Sequence, residues 1–393
     1  MKETFLISGA RTPVGSFNGA LSSFSAILLG SFAIKEAVRK ANVQPESINE
    51  VIMGCVLQGG LGQAPARQAS IAAEIPPSVS CMTVNKVCGS GLKSAMIGMN
   101  EIKLGESEIV VAGGMESMSN APYFLERARN GYRMGNGRIV DMMIHDGLWD
   151  PYGNVHMGNI GEMCAKEYKI TREAQDEFAK NSYTKAQDAI KNGYLKEQIV
   201  GIEIKDKKGN ATIVDEDEEP QKANFEKAGA LKPAFTKDGT ITAFNASKIN
   251  DGAGAVVLMS GEKAKELGAK PMAKIIAQAT HSQDPNWFTT APGYIIDKVC
   301  KKAGITKEDI DLFEINEAFA VVSLAVNQIA GIDNSKVNIT GGAIAFGHPI
   351  GMSGARLIIT LAYNLKRLSK RYGLATLCIG GGEAVAVVIE NIA

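Results

Sequence analysis

One passage of this chain occurs twice, and that repetition limits the folds open to it. Lys40-Ala41-Asn42-Val43-Gln44-Pro45-Glu46-Ser47-Ile48-Asn49-Glu50-Val51 aligns without a gap on Lys302-Ala303-Gly304-Ile305-Thr306-Lys307-Glu308-Asp309-Ile310-Asp311-Leu312-Phe313, at a constant offset of 262 residues. The lysine, alanine, glutamate and isoleucine are identical in register. A second echo pairs Glu108 to Gly114 with Ala375 to Gly381, each an apolar strand-like run closing on glycines. Upstream of the first copy, Leu28 to Ala41 has helical periodicity, and Val51 to Gly54 reads as the strand that follows, so the repeated unit is α/β. In the second copy the next strand, Ala384 to Ile389, follows at once as a hairpin; in the first, its counterpart Ala253 to Met259 waits until after a long detour. The detour is an insertion at a loop, where extra chain costs little. The expected organisation is an N-terminal α/β half over 1–118 completed by 249–271, an inserted domain over 119–248, and a C-terminal α/β half over 272–393.

Composition enters mainly to exclude. Lysine plus arginine and aspartate plus glutamate number 42 each, which gives no argument for nucleic acid or an anionic membrane, so an anionic ligand must be held locally. Residues 1–8 read as a first strand and pass into Arg11-Thr12-Pro13 before an apolar core of signal-peptide length forms. The most apolar long stretch, Ala318 to Ile332, is interrupted by Asn327 and Gln328 and is too short for a membrane span. Six cysteines (Cys55, Cys81, Cys88, Cys164, Cys300, Cys378) include no Cys-x-x-Cys pair, which argues against a zinc site or disulfide scaffold and fits a reducing cytoplasm. Gly59-Gly60-Leu61-Gly62 lacks the lysine or spacing of a phosphate or dinucleotide loop. Within the insertion, Thr171 to Asn192 reads as a helix opened by a threonine cap, and the charge run Lys205 to Glu219 as a solvated turn.

Three places carry chemistry-bearing side chains next to glycine turns. In Asn85-Lys86-Val87-Cys88-Gly89-Ser90-Gly91-Leu92-Lys93 a strand ends near Val84 and Val87, and Leu92 to Ile102 has helical spacing. Cys88 then sits at a helix N-terminus, where unpaired N–H groups and the helix dipole favour a thiolate; a buried structural cysteine is the competing reading. Of the four histidines, His145, His156, His281 and His348, only His348 lies in a glycine-rich loop (Gly341 to Gly354) that lets backbone approach a ligand, with Pro349 biasing it to an extended conformation. Cys378, in Cys378-Ile379-Gly380-Gly381-Gly382, ends a strand of the second half, where α/β folds place ligands, or is a small apolar filler. Asn316, in Asn316-Glu317-Ala318-Phe319, reads as an N-cap after the strand Leu312 to Ile315, or as a residue that holds a water or a developing oxyanion.

Taken together, these pieces resemble the thiolase family, in order and over essentially the whole chain. The motifs are Asn85 to Gly91, Asn316 to Phe319, Gly341-Gly342-Ala343 with Gly347-His348-Pro349, and Cys378 to Gly382. The resemblance implies the thiolase fold, two duplicated five-stranded α/β halves packed together with an inserted loop domain that binds coenzyme A and forms tetramers. It implies Cys88 as the acylated nucleophile, His348 as its base, Cys378 as the acid/base thiol at the substrate α-carbon, and two oxyanion holes. One hole is His348 with a water held by Asn316, the other the backbone N–H groups of Cys88 and Gly380. By the same resemblance Leu148, His156, Met157, Phe235, Ala243, Ser247, Ala318 and Phe319 surround the pantetheine and acyl group. No metal and no cofactor are implied, coenzyme A thioesters being substrates.

Asp146 to Asp150 and His156-Met157-Gly158 resemble the motifs of biosynthetic, short-chain members, which implies reversible Claisen condensation of two acetyl-CoA to acetoacetyl-CoA and CoA through an acetyl-Cys88 intermediate. The rivals are a 3-ketoacyl-CoA thiolase of broader chain length, a ketoacyl synthase, which would not need Cys378, and a non-catalytic acyl-CoA-binding protein. Tyr132 to Asp141 resembles the family's tetramerisation loop, so a cytoplasmic homotetramer is expected, without nucleic-acid or membrane partners. Three positions depart from the family pattern: Thr340 for asparagine, Phe346 for leucine, and Gln221 for an arginine after Pro220. The last loses a contact to the CoA nucleotide unless Lys222 or Lys227 substitutes.

Overall fold

The computed structural model describes residues 2–206 and 208–392; Met1, Lys207 and Ala393, which belong to the expected first strand, the charge run and the C-terminal half, lie outside the described residues. The first run comprises β1 (Thr4–Arg11), β2 (Gly15–Ser16), α1 (Ala26–Ala41), β3 (Glu50–Gly54), α2 (Pro65–Ala72), β4 (Ser80–Val84), α3 (Ser90–Leu104) and β5 (Ile109–Ser117). Then come short paired strands, β6 (Tyr123–Leu125) with β7 (Ile139–Asp141) and β8 (Trp149–Asp150) with β9 (Val155–His156). The insertion continues through α4 (Met157–Glu167), α5 (Arg172–Lys191), the hairpin β10 (Ile202–Lys205) and β11 (Ala211–Val214), and α6 (Phe225–Ala228). The last run is β12 (Asn250–Ser260), α7 (Gly261–Glu266), β13 (Ala273–Ser282), α8 (Ala291–Ala303), β14 (Leu312–Ile315), α9 (Ala320–Ala330), α10 (Ala343–Phe346), α11 (Ser353–Leu368), β15 (Tyr372–Ile379) and β16 (Glu383–Asn391).

The strands of the two repeats line up in the order β14-β15-β16-β13-β1-β12-β5-β3-β4, so the halves meet edge to edge where β1 pairs with β13. β12, arriving after the insertion, lies antiparallel between β1 and β5, as β16 lies between β13 and β15. The repeats differ at one edge: the position of β4 is taken in the second half by a single bridge, Phe313 to Val337.

Strand alternation explains the layering, because neighbouring residues on a strand face opposite ways. On β5, Ile109 and Val111 join α1 and α2 in an outer core, whereas Val110 and Ala112 join α3 and α11. On β15 and β16, Leu377, Val385 and Val387 face that same central layer, while Cys378, Ala384 and Ala386 face α8 and α9. α3 and α11 therefore lie between the two halves of the sheet. They touch almost backbone to backbone: a Cβ on Gly91 would stand 2.7 Å from Ala355 N, and one on Gly354 2.3 Å from Leu92 N. Cys88 and His348 each precede one of these helices, so this close crossing brings the two residues into one region.

The charge run is more than a solvated turn. Its hairpin, β10 with β11, is largely exposed, but Asp217 beyond it is buried and takes a bidentate pair from Arg11 Nη1 and Nη2 at 2.7 and 2.9 Å, plus Val14 N at 2.8 Å. The threonine cap of α5 is present, Thr171 accepting from Ala174 N. Among the described residues, no helix is long and apolar enough to cross a membrane, and no group of three His, Cys, Asp or Glu side chains is placed to hold a metal.

Candidate active site

Cys88 is set by a strained turn. After β4 the chain reverses at Val87, whose φ of +46° is unusual for a β-branched residue. Ser90 ties the turn together, its Oγ accepting from Lys86 N at 2.8 Å and donating to Val87 O at 2.7 Å, while Asn85 Oδ1 accepts from Val87 N at 3.0 Å. The turn packs on the end of β15, since a Cβ on Gly89 would lie 2.4 Å from Ile379 Cδ1. The Cys88 thiol is half-buried, within hydrogen-bond reach of its own N–H and that of Gly380. Burial pushes the thiol up to about 11 against those two amides, with Glu116 adding to the rise. The ionised thiolate anticipated from the helix N-terminus is thus not the resting form: burial outweighs the dipole.

His348 presents a buried, neutral imidazole. Its ring is buried and its pKa falls to about 3, through burial first and the Arg356 charge second, so the imidazole is neutral. Ser353 Oγ lies 2.5 Å from His348 Nδ1 and donates its one hydrogen to Pro349 O at 2.9 Å. It must therefore accept from Nδ1–H, which leaves Nε2 unprotonated, an acceptor that Asn316 Nδ2 approaches at 3.4 Å. The backbone is pinned as well: His348 N donates to Lys248 O and to Asn250 Oδ1, both at 3.1 Å.

Asn316 is not a helix cap. α9 begins only at Ala320, with Phe319 at its N-cap position, because the chain between β14 and α9 is held extended by pairing of Phe319 with Ala246. Asn316 is instead fully buried, with Nδ2 3.4 Å from His348 Nε2 and, among the described residues, with no donor to its Oδ1. That oxygen is free for a donor the protein does not supply. Cys378, at the end of β15, is fully buried, and burial and the nearby Cys88 raise its thiol well above the ordinary value.

Two connected spaces lie over these groups. An inner chamber of about 60 Å³ is lined by Val87, Cys88, His348, Ile350 and Gly380 together with Leu148, His156, Met157, Ser247, Ala318, Phe319 and Phe288. An outer cavity of about 570 Å³ shares Leu148, His156, Ser247, Phe319 and His348 with it and adds Phe235, Ala243, Lys222 and Lys248. All eight residues expected around the pantetheine and acyl group thus line one space or the other, whereas Asn316 and Cys378 are fully buried next to lining residues, Asn316 against His348 and Cys378 near Cys88. His156 caps α4, its Nδ1 accepting from Gly158 N at 3.0 Å, and stacks on Phe235 with ring centroids 4.8 Å apart. Burial lowers its pKa, so its proton sits on Nε2.

Of the departures, Thr340 accepts from Asn364 Nδ2 at 3.2 Å, and Phe346 lies under the Arg356 guanidinium, 5.8 Å from its ring centre. Gln221 is exposed; the adjacent Lys222 reaches the outer cavity, and Lys227 is not on its wall. Sequence reasoning passed over Ser353, Asn250 and Glu116. The fully buried Glu116 carboxylate accepts from Val56 N, Leu57 N and Gly351 N at 3.1, 3.0 and 2.8 Å, clasping the loop after β3 to the loop that carries His348. Ser353, at the start of a helix five residues after His348, was the one with a readable signal.

Two family profiles cover the chain: "Thiolase, N-terminal domain" matches residues 4–262 and "Thiolase, C-terminal domain" matches residues 269–391. The acetyl-CoA acetyltransferase of Cupriavidus necator is 52% identical over 392 residues, covering 100% of both chains. That of Yarrowia lipolytica is also 52% identical, covering 100% of this chain and 97% of its own. A protein of Gibberella zeae named as a cytosolic acetyl-CoA acetyltransferase is 49% identical, over 99% and 98% of the two chains. Among solved structures, the crystal structure of the Bacillus anthracis acetyl-CoA acetyltransferase superposes with a TM-score of 0.97 at 41% identity, covering 100% of this chain and 99% of that one.

Proposed function

The chain belongs to the thiolase family, and on that premise we propose that it is an acetyl-CoA C-acetyltransferase, condensing two acetyl-CoA reversibly to acetoacetyl-CoA and CoA. The observation that carries this reading is that a protonated Cys88 thiol and a neutral His348 whose Nε2 is unprotonated line the same chamber, at one end of an otherwise mostly apolar cavity. His348 takes the Cys88 proton onto Nε2 as sulfur attacks the thioester carbonyl, and the CoA sulfur leaves with the proton of Cys378, which becomes the thiolate that acts next. The amides of Cys88 and Gly380, already directed at the sulfur, stabilise the oxyanion on the acyl group being transferred. A second acetyl-CoA then binds, and Cys378 removes its α-proton. The carbanion attacks acetyl-Cys88 to form the new carbon–carbon bond, and the Cys88 thiolate departs and is reprotonated. His348 Nε2–H, once protonated, and a water on Asn316 Oδ1 hold the second thioester oxygen while it carries enolate charge.

Chain length follows from space. An inner chamber of about 60 Å³, closed by Leu148, Met157, Phe288 and Ile350, suits a two-carbon acyl group better than the long chains of a degradative 3-ketoacyl-CoA thiolase. The enzyme needs no cofactor beyond its CoA substrates in this mechanism. The exposed apolar residues Tyr123, Leu125, Tyr132, Met134 and Ile139, on and between β6 and β7, support assembly into a homotetramer through Tyr132 to Asp141. Six free cysteines and the cytosolic relative favour the cytoplasm.

Incubation with acetyl-CoA followed by peptide mass spectrometry tests the mechanism: an acetyl group on Cys88, removable by added CoA, is expected, and an acetyl group on another residue with none on Cys88 would overturn it. Thiolysis rates across 3-ketoacyl chain lengths decide between the acetyl-specific and broader enzymes, the first showing a steep fall beyond acetoacetyl-CoA.

A further inference from the structure

The outer cavity is walled by apolar side chains except at a few points, among which are three charged groups, Glu219, Lys222 and Lys248. The two lysines are in different states. Lys222 is exposed, and its ammonium is shared by Ser16 Oγ and by the Glu218 and Glu219 carboxylates at 3.7 and 3.9 Å. Lys248 is half-buried and, among the described residues, forms no salt bridge. Its Nζ donates to Ala246 O at 2.9 Å and lies 5.4 Å from the centre of the Tyr183 ring. Burial pushes the ammonium down to about 8, with Glu219 pulling weakly the other way.

The Lys248 backbone is fixed where the ligand must pass. Its carbonyl accepts the N–H of His348 at 3.1 Å, and the preceding Ser247 N donates to Ala318 O at 3.0 Å. The side chain therefore leaves a rigid segment beside His348 and belongs to the cavity wall, its ammonium held next to Ala246, which lines the same cavity. An ammonium has three hydrogens to donate, and among the described residues one hydrogen-bond acceptor is in place. A cation in such surroundings gains most from an acceptor oxygen brought by whatever fills the cavity, because charge-assisted bonds are strong where water is scarce.

We propose that Lys248 is a substrate-binding residue whose ammonium grips an acceptor oxygen on the carrier arm of the acyl thioester, a phosphate oxygen of the nucleotide end or an amide carbonyl of the pantetheine. The inference rests on the reading that an acyl-CoA occupies this cavity, and it assigns the grip to a side chain rather than to shape alone. Lys248 acts in binding and touches no reacting atom, so it affects KM and leaves kcat nearly alone.

The test is steady-state kinetics of wild type, Lys248→Met and Lys248→Arg, with acetyl-CoA and with S-acetylpantetheine as acyl donor. Loss of one charge-assisted bond gives a rise in KM for acetyl-CoA of about tenfold in Lys248→Met, with kcat within twofold and with Lys248→Arg restoring most of the affinity. If S-acetylpantetheine shows no such rise the oxygen is a phosphate's; if it shows the same rise the oxygen is the pantetheine's. Either result supports the proposal. A Lys248→Met enzyme with wild-type KM for both donors, or with a reduced kcat and unchanged KM, overturns it while leaving the acetyltransferase reading intact. A wild-type enzyme that transfers no acetyl group overturns both.

Discussion

At Cys88 two physical effects oppose each other, and their sizes decide the outcome. A helix N-terminus stabilises a negative charge by roughly 0.3–1 kcal/mol, up to about 2 in a favourable partly buried geometry. Moving the thiol from its ordinary 9.0 to about 11 corresponds to roughly 3 kcal/mol in the other direction. The glycine turn and helix start were readable in the sequence; burial against the cluster of Val56, Leu57, Met118, Met143 and Ile350 was not, because it is made by chain segments distant in sequence. The consequence is a thiol that ionises when its proton is taken, not a preformed thiolate–imidazolium pair. His348 at about 3 agrees, since it cannot carry the second charge of such a pair near neutral pH. Alkylation of Cys88 by iodoacetamide should therefore accelerate about tenfold per pH unit from pH 7 to pH 9, as the thiolate fraction grows below a pKa of about 11. A rate that is flat from pH 6 upward, followed by peptide mapping of the carbamidomethyl group, would contradict this.

Between residues and whole molecule stand the elements that bring Cys88 and His348 together. Each half of the duplication contributes a helix whose approach loop carries one of them, α3 for Cys88 and α11 for His348. The strand–turn–helix units were legible from glycines and periodicity, and so was the pairing of strand ends with reactive side chains. Two things were not. Asn316 looked like a cap because a polar residue follows a strand and precedes an apolar run, yet the helix starts four residues later, at Ala320. Glu116, inside an apolar strand ending at Ser117, gave no sign that its carboxylate would bind three backbone N–H groups from two other loops. Such long-range side-chain-to-backbone bonds leave no periodic trace. Truncation by Glu116→Ala strands those three buried donors, so a loss of about 2–5 kcal/mol is expected. Because the His348 loop is released at Gly351, kcat should fall by more than the folded fraction does. Urea unfolding alongside kcat on the folded protein measures both, and a variant with wild-type stability would show that the clasp is dispensable.

At the scale of the whole chain, the matching strand orders β1-β12-β5-β3 and β13-β16-β15-β14 follow the two short echoes in the sequence, since a repeated unit imposes its strand order wherever it folds. The reduced edge at Val337 could not be read there, because a strand shrinks to a bridge through local pairing alone. Nor could the tie between insertion and first half, which was hidden inside a run that looked like solvated charge. Arg11 on β1 and Asp217 beyond β11 are both about 1–2% exposed and paired through two bonds, with Gln198 Oε1 accepting from Arg11 Nε at 3.0 Å. A buried pair of this kind does little for net stability when compared with apolar side chains of like volume, but removing one partner leaves the other charge stranded at a cost of about 3–5 kcal/mol. Asp217→Leu should thus destabilise the protein by that amount, with Arg11 left unpaired against Thr12 O and Gln198. Arg11→Met combined with Asp217→Leu should recover most of the loss, since no charge then remains to be solvated. The coupling is read from urea unfolding of the two single variants, the double variant and wild type. Additive losses would mean that the two residues act separately and that other contacts anchor the insertion to β1.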